Sequence, residues 1–304
     1  SVFYDATVDN AGSINATSYG YAGGAVAASI FGNAYVTNTG TISATSYADD
    51  GYGAVATTKY GGDASVSNDG LVSVYAYGNA VGMVASAADV MGVGGDAYAG
   101  NTGSVDVTSV YGGAVGVAAV SKYGTASVVN DGDVTANGYY SATGLLASAP
   151  VYASVDNSGT VAASAAGYYA YATGVQATGA YVGFVNDGEI SANADGFAGA
   201  ATGVYTTSFY ASTGYNYGDI SASATGDYVQ ATGFMGYSVA GSASLVNTGH
   251  ITATADYMAT GLFLDSDYYT YVYNTGLISA TGADYNVAID TTTSGSVGVV
   301  LNYG

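Results

Sequence analysis

"VYNTGLISATG", residues 272–282, carries no charge, cysteine, histidine or proline, yet near-copies of it run the length of the chain. "VTNTGTISATS" stands at 36–46, "FVNDGEISANA" at 184–194 and "LVNTGHITATA" at 245–255. The shared element is Asn-x-Gly, at Asn10, Asn38, Asn68, Asn101, Asn130, Asn157, Asn186, Asn216, Asn247, Asn274 and Asn302. The spacings are 28, 30, 33, 29, 27, 29, 30, 31, 27 and 28, with no gap missing. Self-similarity at a fixed period of this size is the mark of a repeat architecture.

Counting outward from each Asn gives the local structure. Two residues before it stands Val, Leu or Phe, except at Ala99 and Gly214. Four residues after it stands Ile or Val in every unit, from Ile14 to Ile278, and six after it Ala or Val. The positions between are mostly polar, as at Ser43, Thr135, Ser191 and Thr252. This is period two, a strand with one face inside. A second phrase follows, clearest as "ATG" plus an apolar residue at Ala142–Leu145, Ala172–Val175, Ala201–Val204, Ala231–Phe234 and Ala259–Leu262. Each unit therefore reads as three short strands: one enters the Asn, one leaves the Gly, and one runs through the ATG phrase. No 3.6-residue period is visible, and recurring Gly and β-branched residues would penalise a helix in every unit.

Period-two strands recurring about every 29 residues predict an all-β fold, a single β-solenoid domain over 1–304 with about ten coils. A propeller blade needs about 40 residues and four strands, more than this unit holds. At an inter-strand spacing of about 4.8 Å, ten coils make a rod on the order of 50 Å long. The Val and Ile positions are expected to stack as an interior column, and the asparagines as a hydrogen-bonded ladder at one bend. The Gly two residues on is expected to hold a backbone conformation that a Cβ forbids.

Repeats of the form V-x-N-x-G-x-I-x-A, then A-x-G-[VLF], resemble those of secreted autotransporter-type passenger regions and related bacterial surface β-solenoids, over the full chain. The resemblance implies export and display at a bacterial surface, with the repeats as scaffold. The translocator barrel of a complete autotransporter is not among these 304 residues, so the resemblance is to a passenger or to a relative that assembles by another route.

Composition narrows the function. The net charge is −20, and Lys59 and Lys122 are the only Lys or Arg residues. That disfavours nucleic acid, which is bound by neutralising phosphates, and anionic membrane surfaces. No apolar stretch approaches the roughly 20 residues of a membrane span. The chain begins at Ser1, as after removal of a targeting segment or in an excerpt of a longer polypeptide.

The chemistry available is sparse. His250, the only histidine, occupies an outward position three residues after Asn247. No catalytic triad, Gly-x-Ser-x-Gly or His-Glu-x-x-His pattern accompanies it. Gly51-x-Gly53-x-x-Ala56 lacks the βαβ context of a dinucleotide site. Calcium is the one cofactor to weigh, with weak candidates at Asp49, Asp50, Asp265 and Asp267; solvated turns are the plainer reading of these acids. Asp69, Asp131 and Asp187 share the site after the ladder Asn, but Thr102 and Ser158 intervene. Paired carboxylates alone do not make a glycosidase without long loops to build a cleft. Lys59 and Lys122 open the matching phrases "KYGGDASVSNDG" and "KYGTASVVNDG", and an ion pair with a nearby Asp is expected for each.

The 32 tyrosines remain. Tyr35, Tyr98, Tyr152, Tyr181, Tyr271 and Tyr273 precede a ladder Asn, whereas Tyr139, Tyr140, Tyr168, Tyr169, Tyr171, Tyr228 and Tyr257 crowd the approach to the third strand. They predict aromatic columns along the rod, either as structural cover or as a face for glycans or neighbouring rods. The expectation is a secreted, non-enzymatic structural protein, a subunit of an extracellular fibre or surface layer that stacks head to tail through uncapped ends. The alternative is a monomeric adhesin passenger or stalk that binds glycans or a host surface.

Overall fold

The computed structural model describes residues 4–88, 94–294 and 298–303; the first three residues and Gly304, which the end-stacking expectation includes, lie outside them. The chain is an all-β, parallel-strand β-solenoid of about ten turns, with no helix among the described residues. The first coil shows the pattern: Ala6–Asn10 enters the ladder Asn, Ser13–Ser18 leaves the Gly, and Ala22–Ser29 is the third strand. The second strands form a separate sheet of ten, and the first and third strands are joined into one of nineteen. The joining has a cause: in two coils the third strand runs through the bend into the next first strand, as Tyr169–Asn186 and Ala198–Asn216. There the expected three short strands become two, with a register shift between Gly179 and Tyr181.

Every pairing is parallel, and each pairing between first strands keeps Asn opposite Asn, from Asn10↔Asn38 to Asn274↔Asn302, although coil lengths differ. Length differences are therefore absorbed at the other two bends. Burying one face fixes this register, because a one-residue slip would turn the whole apolar set outward. Inside lie Val36, Ile42, Val105, Leu145, Ile190, Ile251 and their column mates, with alanines where the walls approach. Gly214, one of the two exceptions in its column, has a packing reason. A Cβ there would meet Leu245 and Phe234, so the phenyl ring fills the space that a larger residue would need. Phe184, one coil away, lies 5.8 Å from Phe234 between ring centroids.

The glycine expectation is corrected. Among the described residues no glycine two residues after a ladder Asn has positive φ; only Gly61 and Gly226 do. What excludes a side chain is the neighbouring coil. A Cβ on Gly40 would strike the carbonyl oxygen of Gly12, one on Gly70 that of Gly40, and so on to Gly276 against Gly249. The glycine of the ATG phrase is excluded on two sides. A Cβ on Gly53, Gly144 or Gly203 would collide with the Val or Ile of the facing second strand and with the next glycine's carbonyl.

Candidate functional site

The repeated asparagine builds the most regular polar feature. Each Nδ2 donates to the Oδ1 of the Asn one coil on, through ten rungs of 2.6–2.9 Å. The same Nδ2 donates to the carbonyl of the glycine two residues on, at 3.0–3.4 Å. One amide thus closes its own bend and holds the next. From Asn38 to Asn247 these side chains are almost wholly buried, so each depends on its neighbours for satisfaction. The donors all point toward higher residue numbers, which gives the rod a direction.

The carboxylates are spread over the surface. Thr102 donates to Asp69 at 2.7 Å and Ser158 to Asp131 at 2.5 Å, so the residues that separate the acids of this row are hydrogen-bond donors to them. At the bend before each first strand, Asp5, Asn33, Asp63 and Asp96 each accept the backbone N–H of the next coil at 2.8–2.9 Å. Of the calcium candidates, Asp265 lies within the strand Met258–Ser266, between Tyr237 and Thr292 of the neighbouring coils, and the other three are engaged at turns. Asp49 accepts the N–H of Asp50, Asp50 that of Asn79, and Asp267 the hydroxyl of Ser294. Burial, then Tyr21, Asp50 and Asp49, push the Tyr52 phenol above its usual range. Among the described residues no three His, Cys, Asp or Glu side chains are grouped to hold a metal ion. His250 is exposed and pairs with Asp219 at 2.8 Å, with Glu189 next in the same row.

The lysines differ from expectation. Among the described residues neither makes an ion pair; the ammonium of Lys59 lies 5.3 Å from the Tyr60 ring centre and that of Lys122 5.5 Å from Tyr123. The tyrosines divide. Those approaching the third strand do form ring columns, Tyr77–Tyr111–Tyr139 and Tyr168–Phe197–Tyr228–Tyr257, with centroids 4.7–6.3 Å apart. Those preceding the ladder Asn do not form one column, because Tyr35, Tyr98 and Tyr271 share a row whose other members are small.

No family model, curated protein or solved structure matches this chain. Function then rests on the faces of the rod, and one of them carries a groove walled by aromatic rings. On the outer side of the first strands, Ser127, Ser154, Gly183 and Thr213 form a low row along the axis. Tyr152 and Tyr181 stand on one side of it, Asp156 and Tyr215 on the other, around a groove of about 450 Å³. The Tyr152 hydroxyl occupies the place where a Cβ on Gly183 would project, so the ring leans across the row. Burial, then the charges of Asp187 and Asp131, push the Asp156 carboxyl above its usual range. Sequence reasoning missed this groove. Its parts come from four coils, and only their register brings them together.

Proposed function

We propose that this chain is a structural β-solenoid, exported and displayed at a bacterial surface, whose copies stack coil on coil into a fibre or surface layer. The one-way asparagine ladder carries this reading. Each rung is completed by another asparagine, so a coil is the natural template for the next coil, and a head-to-tail contact of this kind propagates without closing. The surface charge of −20 complements it by keeping rods apart sideways. The reading assigns no catalysis. The resemblance of the repeats to autotransporter-type passengers supports export and leaves a second reading, a passenger or stalk that binds glycans. The aromatic groove favours that second reading.

Gly12 tests the stack. No described atom lies within 4 Å of a Cβ built there, whereas the equivalent position in later coils faces a neighbouring carbonyl. Gly12→Ala should fold with an unchanged circular dichroism spectrum yet fail to lengthen. Electron microscopy should show filaments for the parent chain and single rods for the variant. Filaments of equal length in both, or single rods in both, would refute stacking through this face.

A further inference from the structure

Of the surface features, the groove over Gly183 combines shape, aromatic walls and uncompensated charge. Its floor is a straight row of small residues, two with hydroxyls flanking the glycine: Ser154 before it and Thr213 after it. The strands beneath are paired on both sides with neighbouring coils, so no free strand edge is offered for peptide addition. A ligand must be held by side chains. Exposed tyrosine rings present flat faces that suit the apolar face of a pyranose ring, and the hydroxyls suit a ligand rich in hydroxyls.

Charge selects among such ligands. Asp156 lies near Asp187 and Asp131; partial burial first, and then repulsion from those two carboxylates, raise the Asp156 carboxyl. The chain's two lysines are engaged elsewhere, over Tyr60 and Tyr123. An anionic glycan would meet repulsion, and a neutral one would leave the carboxylates unanswered. A cation gains twice, from the carboxylates and from the tyrosine rings. We infer that the groove formed by Tyr152, Tyr181, Tyr215 and Asp156 binds a cationic amino-sugar chain, laid along the solenoid axis. Pyranose faces rest on the tyrosines, and protonated amines face Asp156 with Asp131 and Asp187 behind it. This deepens the glycan-binding reading and rests on it alone; filament growth is scored separately, so either can fail without the other.

The test is isothermal titration with a glucosamine oligomer and its fully N-acetylated counterpart. The amine-bearing oligomer should bind at least tenfold more tightly, and added salt should narrow the gap. Ser154→Tyr should block the groove without unfolding the chain, since Tyr35, Tyr98 and Tyr271 already occupy the same row in other coils. Tyr181→Ala and Asp156→Asn should each weaken binding at least fivefold, and Tyr77→Ala, on the separate aromatic column, should leave it unchanged. Equal binding of the acetylated oligomer would overturn the cationic assignment. Undiminished binding to Ser154→Tyr would overturn the site. Binding of lysine homopolymer as tight as that of the glucosamine oligomer would replace both with diffuse charge attraction.

Discussion

At the bend after each first strand the chain places an asparagine, eleven times without exception. At the bend before each first strand it places almost anything. The early coils use Asp5, Asn33, Asp63 and Asp96 to accept the next coil's N–H. Later, the strands Tyr169–Asn186 and Ala198–Asn216 run straight through, with Tyr181 and Tyr210 in ring contact 5.4 Å apart. Both bends turn the backbone and both stack. They differ in water. The asparagine amides are buried, and only another asparagine amide supplies a donor and an acceptor in the right places. The outer bend is wet, so a lost side-chain bond is replaced by solvent and the sequence is free to vary. The lesson is that the repeat is strict where a side chain is satisfied by its own copy, and loose where water will serve.

The strongest way to break this comparison is to put charge beside the buried bend. Ile190 is wholly buried, and Ile190→Asp should cost about 5 kcal/mol or more and unfold the surrounding coils. Its outward neighbour, Ser191→Asp, should leave the denaturant midpoint nearly unchanged. Equal losses would show that the inside and outside faces are wrongly assigned.

Next is the ladder itself. Asn157→Ala deprives Asn130 of its acceptor and Asn186 of its donor, both buried. It should cost roughly 3 kcal/mol. At the wet bend, Asp96→Ala removes the acceptor for the Thr125 N–H and should cost about 0.5 kcal/mol. Urea melts of the two variants decide it, and comparable losses would erase the distinction between the bends.

Glycine gives a smaller effect. Gly132→Ala drives a methyl group into the Gly103 carbonyl and should cost about 1–3 kcal/mol. Gly12→Ala should cost close to nothing in the single chain, and a thermal melt lower for Gly12→Ala than for Gly132→Ala would contradict coil contact as the reason for these glycines.

The smallest effect concerns Asp156. Its folded pKa is raised, so the folded chain binds this proton more readily than the unfolded chain. Stability from this group is therefore gained as pH falls through the raised value toward the ordinary carboxylate range, and lost again as pH rises. Asp156 is solvent-exposed, which keeps the effect slight. At neutral pH Asp156→Asn should melt slightly above the parent, and the difference should vanish on acidification. A gap that widens in acid would mean that the carboxylate is favourably paired.

The ladder, the interior column and the coil count were legible in the sequence, because a buried position tolerates few residues and so repeats visibly. The reason for the glycines was not. A forbidden φ and a colliding neighbour leave the same letter in the sequence, and only the stacking of Gly40 on Gly12 separates them. The lysines were misread because Tyr60 and Tyr123, adjacent in sequence, offer a ring face that competes with any carboxylate. The groove was illegible because Tyr152, Tyr181 and Tyr215 belong to three coils, and the floor between them is defined by what is small.

The central claim is that the asparagine side chains bond to one another inside the rod. Side-chain amide hydrogen exchange, followed by NMR, reads this directly. The Nδ2 protons of Asn101, Asn130, Asn157, Asn186, Asn216 and Asn247 should exchange slowly, whereas those of the exposed Asn15 and Asn193 should exchange at once. Exchange of the ladder amides as fast as that of Asn15 and Asn193 would contradict the account.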